Sequence, residues 1–206
     1  MALTTYAELK TSIADFLNRD DLTSAIPDFI TLAEADMQRR VKHWRQEKRS
    51  TAELDTQYSA IPADFLEAIR FYITSNESSP LELISQSEMV DRRYRNADTT
   101  GKPHYYAITA GEIEVYPTPD GTYNAELYYY SRIPALSDSN TSNWVLEYFP
   151  DAYLYGALVH STFYLKDDAR VQGFAALYQS ALDSINADSE SSKFGGSGRR
   201  MRIRAY

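Results

Sequence analysis

Apolar residues recur at helical spacing at both ends of the chain, and the middle follows a different rule. Tyr6, Leu9, Ile13, Phe16 and Leu17 share one helical face, and Thr5-x-x-Glu8 supplies a capping box ahead of them. Asn18 to Asp21 closes that helix. A second helix is expected from Pro27, a residue suited to a first turn, with Phe29, Ile30, Ala33, Met37, Val41 and Trp44 as its stripe. Between residues 46 and 133, Pro and Gly punctuate short runs of β-branched and aromatic residues. Strands are predicted over 69–74, 81–84, 105–110, 113–116 and 123–132, with a short helix over 85–94. Ala110-Gly111 is a candidate hairpin turn, and Pro119-Asp120-Gly121 is another, with Gly121 expected at positive φ.

Residues 134–143 form a polar connection, and the helical pattern then returns. Pro150 and Asp151 open a helix with Leu154, Ala157, Leu158, Ser161 and Leu165 on one face. A last helix carries Val171, Phe174, Tyr178, Ala181, Leu182 and Ile185. Helices apolar on one side must bury that side on one another. The expected fold is therefore α+β: an antiparallel helical bundle from residues 1–45 and 144–190, with a β-rich insertion at 46–143. A basic C-terminal arm over 191–206 follows.

Charge is spread unevenly. The net charge is −8, yet residues 39–49 carry +5 (Arg39, Arg40, Lys42, Arg45, Lys48 and Arg49 against Glu47). Residues 193–206 also carry +5, which leaves −18 for the rest. An acidic body with two basic patches repels nucleic acid in general and attracts acidic partners locally. There is no cysteine, so disulfides, thiolate nucleophiles and cysteine-ligated zinc are excluded. No apolar run approaches 18 residues and the first residues lack the pattern of a signal peptide, so neither a membrane span nor secretion is expected.

The arm is the most distinctive segment. Gly195, Gly196 and Gly198 form a hinge, which a Gly/Ser joint makes flexible. Beyond it, Arg199, Arg200, Arg202, Ile203, Arg204 and Tyr206 mix charge with apolar surface as a docking strand does. They are the candidate partner-binding residues, and the arm is expected to be disordered until it meets its partner.

Candidates for chemistry are few. His43, His104 and His160 have no companions at metal-ligand spacing. His43 sits among cations that disfavour its protonation. The acid pairs Asp20-Asp21 and Asp167-Asp168 have ordinary roles at helix ends. No phosphate-binding loop, metalloprotease or nucleophile-elbow motif is present. No enzyme, no metal and no cofactor is expected. Nucleic-acid binding is the rival reading, with the tail and residues 39–49 gripping phosphates and Trp44 stacking on bases.

Seven stretches together resemble the head-to-tail connector, or adaptor, proteins of tailed bacteriophages. They are 6–10 (YAELK), 13–22 (IADFLNRDDL), 26–34 (IPDFITLAE), 61–67 (IPADFLE), 116–119 (YPTP), 128–138 (YYYSRIPALSD) and 150–158 (PDAYLYGAL). Their order and joint occurrence carry the resemblance. It implies a structural virion protein in the neck, assembled in the host bacterial cytoplasm. It further implies a homo-oligomeric ring, a dodecamer, beneath the portal protein, with each arm reaching onto the portal. Tail or nozzle proteins would attach below, and DNA would pass through without specific binding.

Overall fold

The computed structural model describes residues 3–75, 77–96, 99–165 and 168–194. Six helices and two sheets make the protein α+β. The chain divides into two compact units, residues 1–45 with 133–206, and residues 46–132.

In the first unit, α1 (Tyr6–Leu17) starts on the expected capping box. The Glu8 N–H donates to Thr5 Oγ1 at 3.3 Å, and the Thr5 N–H donates to the Glu8 carboxylate at 3.0 Å. It stops at Asn18, whose φ of 50° is left-handed, a conformation that Asn tolerates. Helix α2 (Ile26–Arg40) carries Pro27 in its first turn. It ends earlier than the apolar stripe suggests. Val41 is extended, and Trp44–Gln46 form a single 3-10 turn. Side chains from the last helix take over the backbone donors here. Lys42 N–H donates to Asn186 Oδ1 at 3.1 Å, and Trp44 N–H donates to Ser189 Oγ at 3.0 Å. Satisfied donors leave the helix no reason to continue.

The remaining helices of this unit are α4 (Trp144–Tyr148), α5 (Pro150–Leu165) and α6 (Asp168–Phe194), all after the strand-rich unit in the chain. Helix α5 packs against α1, α2, α4 and α6. Ala152, Tyr153, Leu154, Gly156, Ala157, Leu158, Ser161 and Thr162 are all buried, so α5 is buried on most sides and not on one face alone. At Gly156 an added Cβ would lie 3.0 Å from both Ala33 Cβ and Tyr178 Cε2. A residue without a side chain lets three helices approach at that point. One core runs through all of this, from Leu9 and Ile13 through Ile30 and Met37 to Leu158, Leu182 and Ile185.

Residues 133–143 belong to this helical unit and not, as expected, to the insertion. Ile133 N–H donates to Gln38 Oε1 at 2.8 Å and Leu136 N–H to Glu34 Oε1 at 2.7 Å, while both side chains are buried. Two α2 side chains thus act as acceptors for a segment with no regular structure of its own. Helix α6 also runs past residue 190, where the arm was expected to start.

The second unit holds β1 (Glu47–Leu54), β2 (Tyr58–Ala60), β3 (Phe65–Ile73), β4 (Ser79–Pro80), β5 (Glu82–Leu83), α3 (Gln86–Asn96), β6 (Tyr105–Thr109), β7 (Glu112–Tyr116) and β8 (Tyr123–Ser131). Two four-stranded sheets form, in the orders β1-β8-β3-β4 and β2-β7-β6-β5. Alternation on β8 sends Ala125, Leu127 and Tyr129 inward, where Phe71, Ile73, Ile113 and Val115 meet them. The other face of β6 and β7 packs on α3 through Met89, Ala107 and Tyr116. Arg93 fastens α3 there, donating to Glu114 Oε1 at 2.8 Å and to the Val115 carbonyl at 2.7 Å.

The β6–β7 hairpin turns on Ala110 and Gly111, both at positive φ (51° and 85°). Gly121, expected to behave likewise, does not take a positive φ. Strands β1, β2 and β4 and helix α4 were not foreseen. Seven of the eight residues of β1 are polar or alanine, so no apolar alternation marks it.

Candidate functional site

The proposed docking residues Arg199, Arg200, Arg202, Ile203, Arg204 and Tyr206, with the hinge Gly195, Gly196 and Gly198, lie outside the described residues. What the structure does describe is the ground from which the arm leaves, the end of α6 and the segment packed on it.

That segment is 40–45. Asn186, Asp188 and Ser189 of α6 grip it through four hydrogen bonds. Besides the two backbone donors already given, Asn186 Nδ2 donates to the Arg40 carbonyl at 3.3 Å, and Asp188 Oδ2 lies 3.0 Å from His43 Nε2. His43 is fully buried. Its ring stacks on Trp144 (centroids 4.8 Å apart, 20° between planes) with Trp44 and Phe149 alongside. The Arg45 N–H donates to Nδ1 at 3.2 Å, so Nδ1 is the acceptor and Nε2 carries the hydrogen that Asp188 receives. Burial pushes the imidazole below its ordinary value, Asp188 opposes that, and Arg45 and Lys193 add to it. His43 is thus a neutral linchpin, and burial outweighs the neighbouring cations as the reason.

The basic run 39–49 is shared between the two units. The boundary between the units falls within it, at 45/46. Arg39 and Arg40 both bind Asp36, at 3.2 and 2.9 Å, and Arg40 also bonds Gln179. Burial lifts the Asp36 carboxyl, but these hydrogen bonds prevail and hold it below its ordinary value. Arg45 lies over the rings of Tyr148 and Trp44, at 3.8 and 4.5 Å. In the other unit, Lys48 pairs with Asp64 at 2.5 Å and Arg49 with Glu126 at 3.4 Å. Sequence proximity suggested a shared surface, but acids pair with four of these cations, Asp36 from the same helix and Asp64 and Glu126 from farther along the chain.

A second buried polar cluster anchors the 133–143 connection. Tyr153 is fully buried; its hydroxyl donates to Glu34 Oε1 at 3.0 Å and accepts from Asn143 Nδ2 at 2.6 Å. The same Asn143 donates to the Pro134 carbonyl and caps α4 with its Oδ1. Burial raises the Glu34 carboxyl, partly offset by the Leu136 and Tyr153 hydrogen bonds, and burial also raises the Tyr153 hydroxyl. This is a structural joint that gathers α2, α4, α5 and the connection.

The remaining candidates are placed as follows. Half-buried His160 stands near Asp36 and Arg39, with burial again lowering its imidazole, and His104 is exposed. Asp21 pairs with Arg19 at 2.5 Å in the loop after α1. Asp168 opens α6, and Asp167 lies outside the described residues. Among the described residues no group of His, Cys, Asp and Glu is arranged to hold a metal ion, and no helix is long and apolar enough to cross a membrane.

The family model described as SU10 adaptor protein matches residues 4–202. The chain belongs to the SU10 adaptor protein family. This is a family of phage adaptors and not a family of enzymes. The match runs through both units and into the arm. No curated protein sequence matches the chain. Sequence reading missed the Asn186, Asp188 and Ser189 grip and the Glu34–Tyr153–Asn143 joint. The grip left one signal, three polar residues closely spaced after the apolar stripe of α6.

Proposed function

We propose that the protein is a structural virion component, a head-to-tail adaptor in the phage neck. It binds the portal through its C-terminal arm and joins capsid to tail. The helices of the first unit act as an antiparallel bundle. Copies assemble into a ring, a dodecamer, whose lumen forms part of the DNA channel used in genome ejection. Tail or nozzle proteins attach below it. Arg199, Arg200, Arg202 and Arg204 meet portal carboxylates, Ile203 and Tyr206 fill apolar pockets, and Gly195, Gly196 and Gly198 form the hinge. The observation that carries this reading is the adaptor family match over residues 4–202.

The acidic balance of the chain supports it. With −18 outside the two basic runs, a channel lined by this protein repels the duplex it conducts. The rival DNA-binding reading is weakened in one of its two elements, because Arg39, Arg40, Lys48 and Arg49 each have an acid beside them that offsets part of their charge. The test mixes isolated portals with intact protein or with protein ending at Gly198. Intact protein should co-migrate with portals and the shortened one should not. Equal attachment of both would overturn the arm as the docking element.

A further inference from the structure

Nothing in the local sequence stops α2 at Arg40. Helices commonly end on Gly or Asn, or shortly before Pro. None of the three occurs between Asp36 and Ile61. Residues 38–46 are mostly Arg, Lys and Gln, all good helix formers. The apolar stripe of Ile30, Ala33 and Met37 also continues in step to Val41 and Trp44. Yet Val41 is extended, with φ −97° and ψ 126°.

The stop comes from α6, and it acts on particular bonds. Winding α2 on would place the Lys42 N–H on the Gln38 carbonyl and the Trp44 N–H on the Arg40 carbonyl. Both N–H groups donate elsewhere, to Asn186 Oδ1 at 3.1 Å and to Ser189 Oγ at 3.0 Å. The Arg40 carbonyl is taken as well, by Asn186 Nδ2 at 3.3 Å. Helix α6 thus occupies both the donor and the acceptor of the same helical bond. Its Asn186 amide donates at residue 40 and accepts at residue 42, as the backbone of a neighbouring strand would.

Two arrangements of this segment are therefore closely matched. Winding on exchanges side-chain acceptors for backbone carbonyls, bond for bond. The observed arrangement is favoured by the packing it permits. His43 is fully buried, its ring lies 4.8 Å from that of Trp144, and Asp188 Oδ2 is 3.0 Å from Nε2. Packed segments with two discrete arrangements are the usual basis of a switch. Helix α6 ends at Phe194, five residues beyond Ser189, and the arm follows directly in the chain. The chain leaves the helical unit just after residue 45.

We propose that Asn186, Asp188 and Ser189 form a releasable latch. Closed, it holds residues 41–45 out of α2; open, α2 winds on through Arg45. Docking of the arm draws on the end of α6 and opens the latch. That trigger rests on the arm being the portal-docking element, as proposed for the function; the latch itself does not.

The full chain carrying Asn186→Ala and Ser189→Ala tests the latch. Alanine keeps α6 helical and removes three of the four bonds. In backbone NMR the Cα shifts of residues 41–44 should move from the extended to the helical range. Shifts that stay extended, or turn random-coil, would overturn the latch. If the double variant does not fold, Ser189→Ala alone decides: a smaller move in the same direction is expected, and no move counts against the latch. The trigger is followed in intact protein labelled with 5-fluorotryptophan, the Trp44 line being assigned with Trp44→Phe. Adding isolated portals should displace that line in the direction seen in the variant. Portals that bind without displacing it overturn the trigger alone. Portals that do not bind overturn the arm as docking element and the trigger with it, while the variant spectra still decide the latch.

Discussion

Replacing Tyr153 with Phe removes one oxygen atom from the centre of the helical unit and nothing else. The ring still fills its fully buried site. Two partners lose a bond: Glu34 loses the donor at 3.0 Å and Asn143 loses the acceptor at 2.6 Å. Neither is wholly orphaned. Glu34 keeps the Leu136 N–H at 2.7 Å, and Asn143 Nδ2 keeps the Pro134 carbonyl at 2.7 Å. A hydrogen bond to a charged acceptor contributes roughly 1.5–3 kcal/mol, and a neutral one about 1 kcal/mol, reduced here by the remaining partners. The expected loss is about 2 kcal/mol. Trp44 and Trp144, the two tryptophans of the chain, both lie in this unit, so urea unfolding followed by tryptophan fluorescence reads it directly. The urea midpoint should fall with little change in slope. The loss should also depend on pH. Burial already raises the Glu34 carboxyl above its ordinary value, and removing a donor to its charged form raises it further. The penalty is therefore full where Glu34 is ionised and shrinks as pH falls through its raised folded value. A loss under about 0.5 kcal/mol near neutrality, or a penalty that grows on acidification, would refute the joint as described.

Other outcomes follow from the same contacts. Gly156→Ala should destabilise by about 1 kcal/mol, since overpacking between Ala33 and Tyr178 outweighs the helix propensity gained, whereas Gly173→Ala, with open space around it, should stabilise by about 1 kcal/mol; two changes of the same sign in thermal melts would contradict this. His43 and His160 are both held below 6.5, so the unfolded chain takes up protons more readily, stability falls as pH drops below that value, and His43→Gln should flatten the slope in a urea–pH series; an unchanged slope counts against a buried neutral His43. Gly111→Val forces a β-branched residue to a φ of 85° and should cost about 1–3 kcal/mol of the strand-rich unit, seen in its amide exchange; wild-type protection would count against the turn.

Much of the helical unit was legible in the chain. The stripes of α1, α2 and α6 name residues that are buried, such as Leu9, Ile30 and Leu182, because a helix repeats its face every 3.6 residues whatever it packs on. Caps and turns were legible for the same local reason. The Thr5 box, Asn18 and Ala110-Gly111 act through neighbouring backbone alone. The Gly121 expectation failed because a turn's conformation also depends on the strands it joins. Strand β1 stayed hidden because its identity rests on pairing with β8, 69 or more residues away, and not on any apolar period of its own.

What only the tertiary structure decided is who partners whom across long sequence separations. The chain determined that Arg39, Arg40, Lys48 and Arg49 are cations in a row. The fold gave Lys48 and Arg49 their partners Asp64 and Glu126 and divided the row between two units, whereas Asp36 reaches Arg39 and Arg40 within one helix. It was likewise the fold that brought Asn186, Asp188 and Ser189 to residues 40–44, stopping α2 and burying His43. Local sequence sets propensity through short-range sterics and hydrogen bonds. Burial and pairing of polar groups depend on distances that the chain creates only by folding.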